Sequence, residues 1–440
     1  MLNLTQALRL THTSQLAVVG AGGKTTALFR LARELPAPVL VTATTHLATS
    51  QIGFSNQHII LEKPDDLSRL QKDSCNDVIL ITGAIEENRT SALSMDKIKW
   101  LHEFADSCHY PLLIEADGSR QRPFKAPSEH EPPIPTFADT VIVVAGLSGL
   151  GKPLTDEWVH RPNIFSQVSQ LAIGQTITTD SLLHALTHPE GGIKNIPQSA
   201  RRAVLLNQAD TPDLQAQGRA LVEGLLPTFD TAIIATLKPQ LVVHAVHEPV
   251  AGIILAAGES RRFGRPKQLL DWHGQPFVRA IAQTALAAKL TPILVVTGSD
   301  AAQIEAVMQD LPVKILHNRE WQSGQSSSIR AGLRAVPKKN GAVIFLLADQ
   351  PQVTPQLLRA MVERHAANLP AIIAPTVGEQ RATPVLFDRT TFPDLQALTG
   401  DMGGRAIFAK FSLTYLAWHD ESLLLDVDTS EDYEQLKRQA

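Results

Sequence analysis

The stretch that decides the fold of the second half of the chain is G-I-I-L-A-A-G-E-S-R-R-F-G-R-P-K, residues 252–267. Its apolar start predicts a buried strand, and the small residues that follow predict a loop containing Gly258 and Gly264. Such a loop lets the backbone approach a ligand closely and point its N–H groups at phosphate. The basic residues that would neutralise a polyphosphate are Arg261, Arg262, Arg265 and Lys267. The stretch predicts a nucleoside triphosphate site on an α/β sheet, with an ordinary strand-to-helix turn as the alternative.

Length and composition limit the class of protein. The 440 residues allow two or three domains, and 44% hydrophobic with 19% charged residues is typical of soluble globular proteins. The formal net charge of −4 gives no global attraction to nucleic acid. Two cysteines, Cys75 and Cys108, indicate a reducing cytoplasm and offer no zinc cluster. No signal peptide and no apolar run near the roughly 20 residues that span a membrane are evident, so we predict a cytoplasmic protein.

A second glycine loop, G-A-G-G-K-T-T at residues 20–26, separates a short apolar run from a stretch with helical spacing. Backbone donors and the helix N-terminus would hold phosphates there, Lys24 would reach the outer ones, and Thr25 would ligate magnesium. The spacing is shorter than G-x-x-x-x-G-K-[ST] and similar to the loop of Mur-type ligases, which bind ATP. The alternative is a helix cap that carries a lysine. The predicted nucleotide-binding residues here are Gly20, Gly22, Gly23, Lys24, Thr25 and Thr26.

Three further segments of the first half place polar groups at predicted strand ends. Glu115 and Asp117 follow a buried strand, where a magnesium ligand belongs beside a phosphate loop; Asp117 is the preferred candidate, and a capping aspartate in an Asp-Gly turn is the alternative. The proline-rich residues 120–135 predict a rigid polar wall without a helix. Within that wall, His130 between Glu129 and Glu131 is a weak metal candidate, because no second histidine stands at ligand spacing.

The strand at residues 202–210 ends in N-Q-A-D, Asn207 to Asp210. GTP-binding proteins use N-K-x-D at such a position, and Gln208 replaces the lysine here. Guanine binding by Asn207 and Asp210 is therefore a hypothesis, and a strand-end turn is the alternative.

Taken together, G-A-G-G-K-T-T, V-T-A-T-T-H, I-E-A-D-G-S-R, V-H-R-P and L-L-N-Q-A-D resemble the YqeC family over roughly residues 1–245. That family is associated with selenium-dependent molybdenum hydroxylases. The resemblance implies a nucleotide-binding accessory domain with ATP or GTP at its loop, without naming its substrate. We place the domain boundary near residue 248, giving domains 1–248 and 249–440, with no glycine- or serine-rich linker between them.

Acidic residues mark two places in the second half. Asp349 follows the most apolar run in the chain, residues 342–348, where ligands bind at the carboxyl ends of parallel strands. Asp426 and Asp428 are predicted to share one face of a strand, and one of them would join Asp349 in holding magnesium on a triphosphate. The alternative for each is a turn or cap residue. The glycine-serine segment at residues 322–333 predicts a loop and helix start whose hydroxyls and N–H groups bind a base edge or phosphate.

These segments, together with L-A-D-Q-P-x-V, L-x-G-D-x-G-x-R and D-V-D-T-x-E-D-Y, resemble the MobA/MocA-like nucleotidyltransferases over nearly all of residues 250–440. L-A-A-G and D-Q-P are similar to the MocA branch, the molybdenum cofactor cytidylyltransferases. The resemblance implies that Arg262 and Lys267 bind the triphosphate and that Asp349 and Asp428 hold magnesium. It implies a pterin-phosphate role for residues 400–405, although Gly404 stands where alanine is usual. The implied base-pocket residues are Leu255, Ala256, Ala257, Gly258 and Ser328.

The resulting prediction is an α/β protein of two domains, an N-terminal P-loop-like domain and a C-terminal Rossmann-like nucleotidyltransferase sheet of the MobA-like, GT-A-like kind. The second domain would transfer CMP from CTP to the phosphate of molybdopterin with Mg²⁺. The first would assist maturation of a molybdenum hydroxylase, with the apoenzyme or its chaperone as partner and no nucleic acid or membrane. The open alternatives are a guanylyl- or sugar-phosphate nucleotidyltransferase and a cofactor carrier or insertion chaperone without turnover.

Overall fold

The computed structural model describes residues 2–70, 77–259, 263 and 266–439. It divides into two compact units, Met1–His247 and Glu248–Ala440. Arg262 and Cys75, which the sequence singled out, lie outside the described residues. Among the helices that are described, none is long and apolar enough to cross a membrane.

The first unit is built on a nine-stranded sheet in the order β14-β13-β12-β10-β1-β8-β2-β5-β4. All neighbours along it run parallel except β13 and β14. Fully apolar strands such as β10 fit this architecture, because a parallel sheet is covered on both faces. The strands are β1 (Gln15–Gly20), β2 (Val39–Ala43), β3 (Leu47–Ala48), β4 (Gln57–Ile60), β5 (Val78–Thr82), β6 (Ile85–Glu86), β7 (Arg89–Thr90), β8 (Leu112–Glu115), β9 (Phe124–Lys125), β10 (Thr140–Gly146), β11 (Val159–His160), β12 (Arg201–Asn207), β13 (Thr231–Thr236) and β14 (Val242–His247).

The described helices of this unit lie between strands of the sheet, apart from α1, which precedes β1. They are α1 (Leu4–Ala7), α2 (Lys24–Glu34), α3 (Met95–Cys108), α4 (Pro162–Ser169), α5 (Thr179–Thr187) and α6 (Pro212–Leu225). The βαβ order predicted for the start of the chain is therefore present, with α2 between β1 and β2. β1 lies inside the sheet between β10 and β8, so the glycine loop leaves the sheet near its centre.

The second unit contains an eight-stranded mixed sheet in the order β19-β18-β15-β20-β23-β21-β22, with β24 also paired to β21. Its strands are β15 (Val250–Ala256), β18 (Ile293–Thr297), β19 (Lys314–His317), β20 (Ala342–Leu347), β21 (Ile372–Val377), β22 (Gln380–Arg381), β23 (Val385–Asp388) and β24 (Leu413–Trp418), and a separate hairpin joins β16 (Asp271–Trp272) to β17 (Gln275–Pro276). The helices are α7 (Phe277–Ala287), α8 (Ala301–Met308), α9 (Gln325–Arg334), α10 (Pro355–Asn368), α11 (Phe392–Gln396) and α12 (Ser430–Gln439). β15, β18, β19 and β20 are parallel, so their carboxyl ends meet at one edge.

The strand predicted around Asp426 and Asp428 is absent from the described structure. Residues 425–428 form an irregular segment before α12, without a neighbouring strand to complete a ladder. The alternation in burial is nevertheless real, because Val427 packs with Leu270, Phe277 and Tyr433 while the two aspartates face outward. The prediction was wrong because a buried anchor residue produces the same period-two pattern as a strand.

Candidate functional site

The charged centre of the second unit is Lys267, which begins a short 3₁₀ turn after the loop that follows β15. Its ammonium donates to Asp428 Oδ1 at 2.7 Å and to the Val427 carbonyl at 2.6 Å. Asp349, just beyond β20, places Oδ2 at 3.7 Å from the same nitrogen. Two carboxylates that are distant in sequence therefore lie close to one lysine, and these are the three residues that the resemblance assigned to the triphosphate and its magnesium.

Burial raises the pKa of Asp349, and the nearby Asp426 and Asp428 charges raise it further, while Lys267 and a backbone hydrogen bond lower it. A partly buried carboxylate beside two others favours a bound cation, since added positive charge relieves both effects. Magnesium is held in proteins by one or two carboxylates together with substrate phosphates, so Asp349 and Asp428 suit it. Within the described residues, no three His, Cys, Asp or Glu side chains form a complete metal cage.

Asp426 binds a glutamine side chain, whereas Asp428 binds Lys267. Its Oδ1 accepts a hydrogen bond of 2.8 Å from Gln350 Nε2, and Gln350 in turn accepts from Thr383 Oγ1. Gln350 is 3% exposed. This chain of side chains ties the D-Q-P turn to the segment before β23. The sequence identified D-Q-P but not this role of its glutamine, because Thr383 and Asp426 are far from it along the chain.

A cavity of about 360 Å³ opens beside these residues. Its floor is aromatic and aliphatic, with Phe345, Phe387 and Phe408, and its polar rim includes Thr383, Arg405 and Asp426. Arg381 adds a guanidinium 5.5 Å from the centre of the Phe408 ring. Gly403, Gly404 and Arg405 line this cavity, so the segment predicted to meet the pterin phosphate does face an open space.

Packing explains why residue 404 is glycine in this chain and not the alanine of the resembled motif. A Cβ built on Gly404 would lie 2.7 Å from Phe387 Cζ, closer than real Cβ atoms approach a ring carbon. The aromatic floor of the cavity therefore occupies the space that an alanine side chain would need.

Four of the five predicted base-pocket residues, Leu255 to Gly258, lie at the carboxyl end of β15, and the fifth, Ser328, lies in α9. Ala256 and Ala257 are buried, and Gly258 offers its carbonyl to Gln268 Nε2 at 2.8 Å. Ala256 is in register with Thr297 at the end of β18. Ala348 N–H donates to the Leu255 carbonyl, which joins this loop to the strand that carries Asp349.

The start of α9 differs from the expectation for the serine segment. Its first N–H groups are already bonded, that of Gln325 to Asp401 Oδ1 at 3.3 Å and that of Ser326 to the Gly400 carbonyl at 3.3 Å. Ser326 Oγ also donates to Gly400. Residues 400–401 therefore occupy the helix N-terminus, and ligand binding by these first N–H groups, which stays a prediction, requires those hydrogen bonds to be exchanged. Ser328 lies deeper and receives a hydrogen bond from Asn318, a residue that the sequence did not single out.

The glycine loop of the first unit is turned inward. Gly20 has φ +94, and a Cβ there would lie 2.2 Å from the Val144 carbonyl oxygen, so only glycine fits. Its N–H donates to Asp117 Oδ2 at 3.1 Å, and the next N–H groups donate to the carbonyls of Val144 and Arg122. Gly23 caps α2 with φ +131, so the N–H groups of residues 24–26 are those that the helix geometry leaves open.

Lys24 folds back onto its own loop. Its ammonium donates to the Gly20 carbonyl at 2.8 Å and lies 3.2 Å from Asp117 Oδ1, and both side chains are 3% exposed. Lys125 approaches Asp117 Oδ2 from the other side at 2.8 Å. A cavity of only about 40 Å³ adjoins Gly20, Asp117 and Lys125, which is room for a few water molecules and not for a nucleotide.

Two further predicted ligands of this unit, Thr25 and Asn207, are also bonded to protein groups. Thr25 Oγ1 donates to Glu115 Oε2 at 2.9 Å, and burial raises the pKa of Glu115. Asn207 Nδ2 donates to the Gly22 carbonyl at 2.6 Å and its Oδ1 accepts from Leu237 N–H, so it braces the loop. Asp210, three residues later, is exposed.

Glu131 is the acidic centre of the proline-rich wall. Arg161 donates to both of its oxygens, at 2.6 and 2.8 Å, and Lys125 adds a third contact at 2.9 Å. Burial opposes these contacts, yet they lower the pKa of Glu131 to about 2. His130 is exposed next to it. A metal role for His130 is not supported by this arrangement, because its acidic neighbour is already paired with two cations.

Comparison with known proteins agrees with the division into two units. The YqeC protein family model matches residues 16–163, and the MobA-like NTP transferase domain model matches residues 252–416. YqeC of Escherichia coli K12 is 35% identical over 196 residues, which are 44% of this chain and 75% of that protein. The purine catabolism protein PucB of Bacillus subtilis 168 is 31% identical over 199 residues, 42% of this chain and 95% of that protein.

A third relative bears on the chemistry. The molybdenum cofactor guanylyltransferase of Rhodobacter capsulatus is 32% identical over 151 residues, which are 34% of this chain and 74% of that protein. Each relative accounts for less than half of the present chain. The chain therefore belongs to two families, the YqeC family through its first part and the MobA-like NTP transferases through its second.

Proposed function

We propose that the second unit is a molybdenum cofactor cytidylyltransferase, which transfers CMP from CTP to the phosphate of molybdopterin and releases pyrophosphate. The observation that carries this proposal is Lys267 beside Asp349 and Asp428. Asp426, two residues from Asp428, lines a cavity large enough for an acceptor. Membership of the MobA-like family supports nucleotidyl transfer as the reaction type.

In the proposed reaction an oxygen of the acceptor phosphate attacks the α-phosphorus of CTP, and the bond to the pyrophosphate oxygen breaks. The protein positions the two phosphates and neutralises charge, so it needs no covalent nucleophile. Lys267 supplies a positive charge at the strand ends, and Arg262 is proposed to supply another. Bound Mg²⁺ would add Lewis-acid stabilisation of the triphosphate, with Asp349 and Asp428 as its protein ligands.

The proposed acceptor site is the cavity lined by Phe345, Phe387 and Phe408. A flat pterin ring system suits aromatic walls, since offset-stacked or edge-to-face contacts between rings are favourable. Arg405 at the rim would meet the acceptor's phosphate, because a guanidinium binds phosphate oxygens in pairs.

For the first unit we propose a nucleotide-binding accessory role in maturation of a molybdenum hydroxylase, acting in the cytoplasm on the apoenzyme or its chaperone. The glycine loop at the centre of the sheet and the open N–H groups at the start of α2 support binding of ATP or GTP. Because Lys24 is held by Asp117, binding would require this lysine to exchange a carboxylate for a phosphate.

The test of the proposed reaction is pyrophosphate release by the full chain with purified molybdenum-pterin cofactor, Mg²⁺ and either CTP or GTP. Release with CTP and little with GTP is the expected result. Release with GTP alone would replace this proposal with guanylyl transfer, the activity named for the Rhodobacter capsulatus relative. No release with either nucleotide, together with retained cofactor binding, would identify a carrier instead.

A further inference from the structure

A short network of hydrogen bonds lies at the carboxyl ends of β18 and β19, beside the predicted base pocket. Asn318 follows β19 and is 6% exposed. Its Nδ2 donates to Ser327 Oγ at 2.8 Å and to Ser328 Oγ at 3.0 Å. Its own N–H donates to the carbonyl of Thr297 at 2.9 Å, and Thr297 on β18 is in register with Ala256 on β15.

The direction of these hydrogen bonds is determined by backbone groups. Asn318 Oδ1 accepts from Glu320 N–H at 3.0 Å, and a backbone N–H can only donate, so the amide oxygen must face Glu320. The NH₂ group must then face the two serines. Ser327 Oγ donates its own hydrogen bond to the Gly324 carbonyl at 2.8 Å, so its hydrogen is already used.

Ser328 is left with a hydrogen to donate. Among the residues that the structure describes, Asn318 is the side-chain partner of its hydroxyl, and Asn318 uses one of the lone pairs of Ser328 Oγ. Since Ser328 is 5% exposed, its O–H gains by bonding a ligand acceptor in place of water. Thr297 Oγ1 is buried in the same region, and the described residues provide it with no hydrogen-bond partner.

We propose that Asn318 is a positioning residue for nucleotide choice, because it leaves Ser328 with a hydrogen to donate toward the base. A donor at this position fits the edge of cytosine, where O2 and N3 are adjacent acceptors. The N3–H of uracil and the N1–H of guanine are donors, so they cannot accept this hydrogen and can use only the remaining lone pair of Ser328 Oγ. This inference rests on the proposed nucleotidyl transfer and adds the group that selects the base.

The test is the isosteric variant Asn318→Asp. A carboxylate at residue 318 still accepts from Glu320 N–H, but it must also accept from the serine hydroxyls, so Ser328 presents a lone pair to the base. We expect kcat/KM for CTP to fall roughly tenfold or more, and the ratio of CTP to UTP and GTP turnover to fall with it. Pyrophosphate release with molybdenum-pterin cofactor measures all three nucleotides.

Two further variants separate base selection from damage to the fold. Asn340→Asp places the same new carboxylate at a buried asparagine of this unit, which bonds the Thr291 carbonyl near the other ends of the strands, and it should leave the nucleotide ratio unchanged. Ser328→Ala should remove the effect of residue 318, so that Asn and Asp at this position then give the same ratio.

If the ratio of CTP to GTP turnover is the same in Asn318→Asp as in the parent chain, the inference is overturned. The same holds if Asn318→Asp lowers this ratio as much in the Ser328→Ala background as it does alone. Both outcomes require a parent chain that prefers CTP. A parent chain without any pyrophosphate release would instead contradict the proposed function, so the two failures are distinguishable.

Discussion

The two glycine loops differ in what their lysines do. Lys24 of the first unit is 3% exposed and bound to Asp117, which is equally buried and also contacts Lys125. Lys267 of the second unit is 12% exposed, between Asp349 and Asp428, whose side chains are 36% and 59% exposed. The charges of the first loop are therefore satisfied within the protein, while Lys267 after the second loop lies beside two accessible carboxylates. In this structure Lys24 is a buried partner of Asp117, and the greater exposure of the Lys267 site supports our proposal that it binds a ligand.

The largest effect is expected from Asp349→Ala. Removing this carboxylate takes away one of two proposed metal ligands at the reacting phosphate, so pyrophosphate release should fall at least about a hundredfold. Asp310→Ala is a suitable control, because Asp310 is an exposed partner of Arg279 away from the proposed site. Unchanged release by Asp349→Ala with CTP, Mg²⁺ and cofactor would remove Asp349 from the proposed chemistry.

The contrast between the two lysines is tested by stability. Lys24→Met leaves Asp117 buried with only Lys125 as its cationic partner, so the free energy of unfolding of the first unit should fall by about 2 to 3 kcal/mol. Lys267→Met removes a pair whose carboxylates are exposed, and should cost less than about 1 kcal/mol. Urea unfolding curves, recorded for the first unit and for the second, measure the two losses of unfolding free energy. Equal losses would contradict the distinction drawn between a buried and an accessible loop.

Lys267→Met should also change metal binding in the absence of nucleotide. The ammonium lies between the proposed ligands, and its removal leaves the carboxylates uncompensated, so Mn²⁺ should bind roughly tenfold more tightly. Electron paramagnetic resonance of free Mn²⁺ reports this binding without any turnover. Weaker Mn²⁺ binding by Lys267→Met than by the parent chain would mean that Asp349 and Asp428 do not form the metal site.

The last expected effect concerns the acid stability of the first unit. The pKa of Glu131 is held at about 2 in the folded chain against 4.5 as its ordinary value. A depressed carboxylate pKa contributes stability above the unfolded pKa, and that contribution is lost as the pH falls from about 4.5 toward 2. After allowance for partial exposure, Glu131→Gln should remove about 1 kcal/mol of this pH dependence in urea titrations. An unchanged slope over this range would show that the contacts with Arg161 and Lys125 contribute little.

Local patterns of residues were enough to predict much of the architecture. The apolar runs that became β1, β15 and β20 are continuous, because strands of a parallel sheet are buried on both faces. The two glycine loops follow such strands directly, and the family resemblances found at these loops are confirmed by the matches to residues 16–163 and 252–416.

Other features needed three-dimensional contacts. A period-two pattern at Asp426–Val427–Asp428 predicted a strand, but the pattern comes from one buried valine in an irregular segment. The helix start at Gln325 was expected to bind a ligand, whereas Asp401 and Gly400, some seventy residues away, occupy it.

The sequence by itself determined the main parallel strands, the loops that follow them, the two families and the residue types at these strand ends, since these depend on local periodicity and short spacings. Only the tertiary structure decided which of those residues are bonded to each other. Lys24 with Asp117, Gln350 with Asp426 and Asn318 with Ser328 each join separate segments, and their hydrogen-bond directions depend on neighbouring backbone groups. The physical reason is that burial and hydrogen bonding act between residues near in space, and spacing along the chain does not record those distances.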